Sequence, residues 1–212
     1  MEAASPADSR SARKRAAILE AATAAFLRNG YLGTSMDEIA AAAAVSKQTV
    51  YKHFADKERL FTEIVAGVVD GAGEPLEGEV LGLVEADDLE AGLRDLARRQ
   101  LESVMQPRLM QLRRLVIGEA GRFPELGRAF YERGAARAVA LLAEAFARLA
   151  DRGALELDDP ELAAAHFNWL VMSAPVNRAM LLGDAEIPSP AELDRYAESG
   201  VRAFLAAYGP RD

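Results

Sequence analysis

The chain has 212 residues, half of them hydrophobic and 27% charged, with a formal net charge of −8. It contains no cysteine, which excludes disulfides, thiolate metal sites and cysteine nucleophiles and suits a reducing compartment. The polar opening "MEAASPADSRSARKR" lacks the apolar stretch of a secretory signal, and no run approaches the roughly 18 apolar residues of a membrane span. A soluble, cytoplasmic protein with no membrane partner is therefore expected.

In chain order, almost everything reads as helix: alanine, leucine, glutamate and arginine are abundant, and apolar positions recur at intervals of three and four. A first helix is predicted over residues 11–28, with Ile18, Ala22 and Phe26 on one face and Gly30 as a left-handed cap. A short second helix follows "GTSMDEIAAAA". Thr34 with Asp37 and Ser35 with Glu38 both match a capping arrangement, so its start is ambiguous by one residue. Ser46 caps a third helix running to about His53, and Asp56 caps a fourth over residues 57–70, stopped by Gly71, Gly73 and Pro75. Longer helices are expected near 88–105, 108–121, 124–152, 160–182 and 190–208. Asp159-Pro160 and the capping box of Ser189 with Glu192 mark the last two starts.

Charge is unevenly placed along this array. Residues 9–59 carry nine basic against five acidic side chains, a local +4 that leaves −12 for the rest, and all four lysines lie in this segment. For a phosphate ligand the local field matters more than the net charge. Three short helices there share one small core of Ile18, Ala22, Phe26, Ile39, Ala40, Val45, Val50, Phe54, Leu60 and Phe61. With these turned inward, Lys47, Gln48, Thr49, Lys52 and His53 face mostly outward, the arrangement of a helix-turn-helix. Gln48 suits an adenine edge, Lys47 suits guanine acceptors, and the Thr49 methyl suits a thymine methyl. Tyr51, Lys52, His53 and Lys57 are placed for phosphates, with Thr34 and Ser35 adding hydroxyls at a helix start.

The span "AAILEAATAAFLRNGYLGTSMDEIAAAAAVSKQTVYKHFADKERLF" resembles the N-terminal domain of the TetR family of transcriptional regulators. The ordered run "IL-AA--F---GY--TSM--IA", the "VSK-T-Y-HF" recognition helix and the "KE-LF" start of the next helix carry the resemblance. It implies an all-α homodimer that binds a palindromic operator on double-stranded DNA, usually a repressor released by a small ligand. By position, the family's DNA contacts fall on Thr34, Lys47, Gln48, Thr49, Tyr51, Lys52, His53 and Lys57; Ser35 and Ser46, at the two helix starts, complete the candidate set. One departure is Ala44, where the family commonly has glycine before the "VS" pair; alanine at positive φ costs about 1 kcal/mol.

The resemblance implies a domain plan of a tail over residues 1–10, a helix-turn-helix domain over 11–56, and a connecting helix with a ligand-binding and dimerisation domain over 57–212. The body from "LVIGEAGRFPELGRAF" to "AAAHFNWLV" is similar to AefR-like C-terminal halves, and the last two long helices are expected to pair across a dimer. Met105, Met110, Phe130, Phe146, Trp169 and Met172 are candidates to line an apolar cavity for a small effector, with Glu119 and His166 as polar groups to orient it. The connecting helix would carry the ligand signal to the head. An enzyme is disfavoured, because the two histidines fall in different domains and no zinc, P-loop or dinucleotide pattern appears; no cofactor or metal is expected. A helical protein-interaction module is the alternative outside DNA binding, and an activator the alternative within it.

Overall fold

The computed structural model describes residues 6–210, which form helices and turns with no strand among them. In chain order these are α1 (Pro6–Asn29), α2 (Met36–Ala42), α3 (Lys47–His53), α4 (Lys57–Gly73), α5 (Leu76–Glu85), α6 (Leu89–Val104), α7 (Pro107–Glu119), α8 (Pro124–Tyr131), α9 (Arg137–Asp151), α10 (Pro160–Leu182) and α11 (Pro190–Tyr208). The chain divides into two compact units, one running through Val68 and including Leu115–Gly127, the other comprising Val69–Arg114 and Arg128–Asp212. The helix α1 begins at Pro6, ahead of the expected residue 11; proline suits a first turn, where backbone N–H groups have no intrahelical acceptor. Residues 1–5 of the expected tail lie outside the described residues.

The first unit is built on Ile18, Ala22, Phe26, Ile39, Ala40, Val50, Phe54, Leu60 and Phe61, all buried. Phe61 lies 4.9 Å from Phe26 and 5.1 Å from Tyr31, and Tyr31 meets the edge of Phe123 at 4.9 Å. The segment 115–127 thus supplies a ring to this core, a long-range contact that sequence period does not reveal. Ser35, not Thr34, caps α2: its Oγ accepts the Glu38 N–H at 3.2 Å. Ser46 caps α3 in the same way through the Thr49 N–H.

Between α2 and α3 the chain reverses through Ala44, which has φ 52°. The N–H of Val45 bonds the Ala40 carbonyl at 3.0 Å and that of Ala44 bonds the Ala41 carbonyl at 3.2 Å, the paired bonds of a Schellman motif closed by a left-handed residue. Ala44 is solvent-exposed, so its methyl group contributes crowding and no packing. The substitution Ala44→Gly is expected to stabilise the protein by up to about 1 kcal/mol, the relief of left-handed strain outweighing the extra unfolded-state entropy of glycine. A rise in the urea midpoint at unchanged slope is the readout, and a fall would show that the turn carries no strain.

The second unit buries one face from each of α6, α9, α10 and α11. Phe204 is its aromatic centre, with ring centroids 5.0 Å from Phe146, 5.2 Å from Phe167 and 5.0 Å from Tyr208. The helices α10 and α11 approach closely at Gly200, where a Cβ would stand 2.9 Å from Val171 Cγ2 and 3.2 Å from the Leu170 carbonyl oxygen. Asp159 caps α10 through the Leu162 N–H. At the start of α11 the Ser189 N–H and hydroxyl both donate to Glu192 at 2.9 Å, and these bonds, with Arg178 beside them, lower the Glu192 carboxyl to about 2.

Besides the early start of α1 and the end of α4, which runs on through Gly71 to Gly73, two elements differ from expectation. The stretch after Pro75 is not a break but α5, which buries Leu76, Val80, Leu83 and Val84 at helical spacing while Gly78 and Gly82 meet nothing on the other side. Burial of an apolar face there overrides the poor helix propensity of glycine. The single helix expected over 124–152 is instead α8 and α9 joined by a π-helical turn, Glu132–Ala136. Such a turn takes up an extra residue and re-phases the faces on either side of it.

Candidate nucleic-acid interface and cavity

The helix α3 is fixed from beneath by Val50 and the following Phe54, both buried, which leaves Lys47, Gln48, Tyr51 and Lys52 exposed along its outer surface. The side chains of Gln48 and Lys52 make no intramolecular hydrogen bond within the described residues and are free to engage a ligand. The Lys47 ammonium instead lies 2.7 Å from Asp37, whose hydrogen bond and charge raise the lysine above its ordinary value. The pair is exposed, so little free energy opposes exchanging the carboxylate for a phosphate. Ser46 and Thr49 are engaged in capping, their hydroxyl oxygens 2.8 Å apart. His53 is half-buried, its ring 6.3 Å from that of Phe54.

Three candidates have different places from those expected of them. Thr34 is only 2% exposed, and its hydroxyl donates to the Gly30 carbonyl at 2.9 Å instead of facing outward. The Lys57 ammonium donates to the carbonyl oxygens of Tyr31 and Thr34, both at 2.9 Å, and sits 4.5 Å from the centre of the Tyr31 ring. It is a structural cation that ties the loop before α2 to the start of α4, so its ammonium is already committed. Ser35 is exposed but spent as the α2 cap. Upstream, Arg15 lies over the Phe54 ring at 5.3 Å and pairs with Glu63, while Arg10, Arg13 and Lys14 are exposed on α1.

The second unit holds a partly open cavity of about 150 Å³ lined from α4, α5, α6, α7, α8, the π-helical turn, α9 and α10. Of the predicted lining residues, Phe130, Trp169 and Met172 are present. Met105, Met110 and Phe146 are buried in the surrounding core and do not line it. Their sequence signature, a large apolar residue on a helix, is the same for both roles. Glu119 belongs to the first unit, where its carbonyl receives the N–H groups of Arg122 and Phe123. His166 is exposed and its Nδ1 is 2.6 Å from the Tyr208 hydroxyl, joining α10 to α11 outside the cavity. The sequence reading missed Gln100 and Arg113. Gln100 is 7% exposed and falls on the same face of α6 as Leu93, Leu96 and Ala97, and a polar residue in an apolar register is a signal that could have found it. Among the described residues, no group of three or more His, Asp or Glu side chains is placed to hold a metal ion, and no helix is long and apolar enough to cross a membrane.

Comparison with known proteins bears on both units. Residues 18–64 match the family described as bacterial regulatory proteins, tetR family, and residues 91–210 match the AefR-like transcriptional repressor C-terminal domain. A solved structure from Mesorhizobium loti, assigned to the TetR family of transcriptional regulators, is 48% identical over 94% of this chain and 98% of its own, with a TM-score of 0.87. The flavonoid-responsive regulator FrrA is 32% identical over 95% of this chain and all of its own, with a TM-score of 0.75. The transcriptional regulator AcrR of Shigella flexneri is 39% identical over 88 residues, covering 42% of this chain and 40% of AcrR. The chain spans between about a quarter and two-fifths of the length of the curated relatives it matches.

Proposed function

The chain belongs to the TetR family of bacterial regulatory proteins, and from that premise we propose that it is a repressor that binds a two-fold-symmetric operator as a homodimer and leaves it when a small, largely apolar effector fills the cavity. The family consists of helix-turn-helix transcriptional regulators, not enzymes. The observation that carries the reading of DNA is the outer surface of α3. Lys47, Gln48, Tyr51 and Lys52 stand exposed on a helix held by Val50, in a segment that is +4 within a chain of −8. In this reading Gln48 contributes to base choice, while Lys47, Tyr51 and Lys52 hold phosphates.

The repressor sign rests on the likeness of residues 91–210 to AefR-like repressors. Dimerisation is supported by α10, which leaves Leu162, Trp169, Leu170 and Leu181 between 45% and 81% exposed, an apolar stripe that is costly to leave in water. Two copies joined there present two recognition helices, which a palindromic operator matches by symmetry. The helix α4 supplies Val69, Ala72 and Gly73 to the cavity lining and is continuous with the residues of the first unit through Val68, so it is the natural carrier of the signal. An effector releases DNA only by binding one dimer state more tightly than the other.

Selection of bound fragments from the source genome tests the proposal. Enrichment of a two-fold-symmetric site, bound with strong salt dependence, is the expected result. Failure to enrich any such site overturns it.

A further inference from the structure

Arg113 and Gln100 give the cavity a chemistry that its apolar lining does not. Both line it, Arg113 from α7 and Gln100 from α6. The Nε of Arg113 and the Oε1 of Gln100 are buried without a hydrogen-bond partner in the protein. Buried polar groups are almost always paired, because an unpaired one keeps its desolvation cost with no return. The other arginines at the cavity are already committed: Arg99 to Glu79 at 3.1 Å, Arg133 to Asp70 at 2.7 Å, and Arg137 to Glu77. Arg113 has the Phe130 ring 5.5 Å from its guanidinium carbon and no carboxylate beside it among the described residues. Burial alone displaces its ionisation, downward, the mark of a cation that nothing nearby neutralises.

A planar guanidinium uncompensated in an apolar chamber is matched by a carboxylate, and a lone amide oxygen is matched by a hydroxyl donor. The rings of Phe130 and Trp169 border the same space, and about 150 Å³ accommodates one benzene-sized ring. We propose that the cavity takes a single-ring aromatic acid, its carboxylate held by Arg113 and a ring hydroxyl donating to Gln100. The inference rests on the cavity being the effector site. It differs from a flavonoid, which carries several fused and linked rings.

Titration calorimetry on the full chain decides it, with the three hydroxybenzoate isomers, their methyl esters and benzoate as probes. The chain's single tryptophan, Trp169, supplies a fluorescence signal from the cavity wall in parallel. At least one acid is expected to bind about tenfold or more tightly than its ester, as a charge-assisted pair requires. In Arg113→Met that ratio falls to about one, and in Gln100→Leu the best hydroxybenzoate loses its advantage over benzoate. Esters that bind as well as the acids in the unsubstituted protein overturn the proposal, as does a ratio that survives in Arg113→Met; so does the absence of binding by every probe. The first of these needs no variant, so a misfolded Arg113→Met does not rescue the idea. Release of operator DNA is scored separately. Acids that bind with the stated preference but leave the operator complex intact support this ligand class and sink the effector reading of the cavity.

Discussion

Gln48→Ala is expected to weaken operator binding by about 1–3 kcal/mol in each half-site, the discrimination carried by a bidentate side-chain contact to one base. The effect is squared across a two-fold operator, so the loss on the intact site is about 30-fold at the low end and about 2 × 10⁴-fold at the high end. Scrambled duplex of the same length should be bound almost as before, because Gln48 is uncharged. Lys52→Ala is the matched control. It removes an exposed phosphate partner, so operator and scrambled duplex should weaken together, with the salt slope falling by about one per half-site. Binding measured over a salt series separates the two, and equal relative losses on both duplexes for both variants would refute the division of roles. Lys57 does not belong in this comparison despite its place in the family pattern. Its ammonium is bound by two backbone carbonyls and the Tyr31 ring, so replacing it disturbs the loop that leads into α2 before it disturbs any phosphate.

Phe204→Ala is expected to cost about 3–5 kcal/mol of stability, the range for removing a fully buried ring. Phe204 has no exposed surface and stands within 5.2 Å of three other rings on α9, α10 and α11, so the lost volume lies where three helices meet. None of those helices can close the gap without disturbing another contact; α11 is already pressed onto α10 at Gly200. Urea unfolding at fixed protein concentration is the measurement, the concentration being held because association adds to apparent stability. A loss below about 1 kcal/mol would mean that the site collapses and that the ring cluster is not the keystone of this unit.

Much of the fold was legible because local chemistry and burial agree. Ile18, Ala22 and Phe26 recur at helical spacing and are buried together, and Asp159, Ser189 and Glu192 mark helix starts that the structure keeps. The choice between Thr34 and Ser35 was not legible, since each has an acid three residues on. The decision is made by the turn after Gly30, which draws the Thr34 hydroxyl inward. Ala44 was legible as a strained position through its departure from the family's glycine, and its φ of 52° is the conformation that glycine favours. The helix α5 and the π-helical turn were not, because glycines suppressed the first, and the second, although Gly134 sits inside it, lies in a run otherwise rich in good helix formers. Cavity walls were the least legible feature. Met105 and Met172 look alike in sequence, yet one fills the core and the other faces the cavity, and only the three-dimensional arrangement of the helices distinguishes them.

The confinement of all four lysines to the first unit gives the molecule a chemical asymmetry. An amine-acylating reagent finds no ε-amino group on the unit that holds the cavity. Each acylation turns a cation into a neutral amide, so it strips charge from the face proposed to meet phosphate and leaves the cavity lining unaltered. The four amines are also graded in availability. Lys14 and Lys52 are open to solvent, Lys47 is shielded by one carboxylate, and Lys57 is clamped by two carbonyls over an aromatic ring. Brief acylation therefore edits the recognition surface in a set order, and the loop that Lys57 secures is the last to be touched.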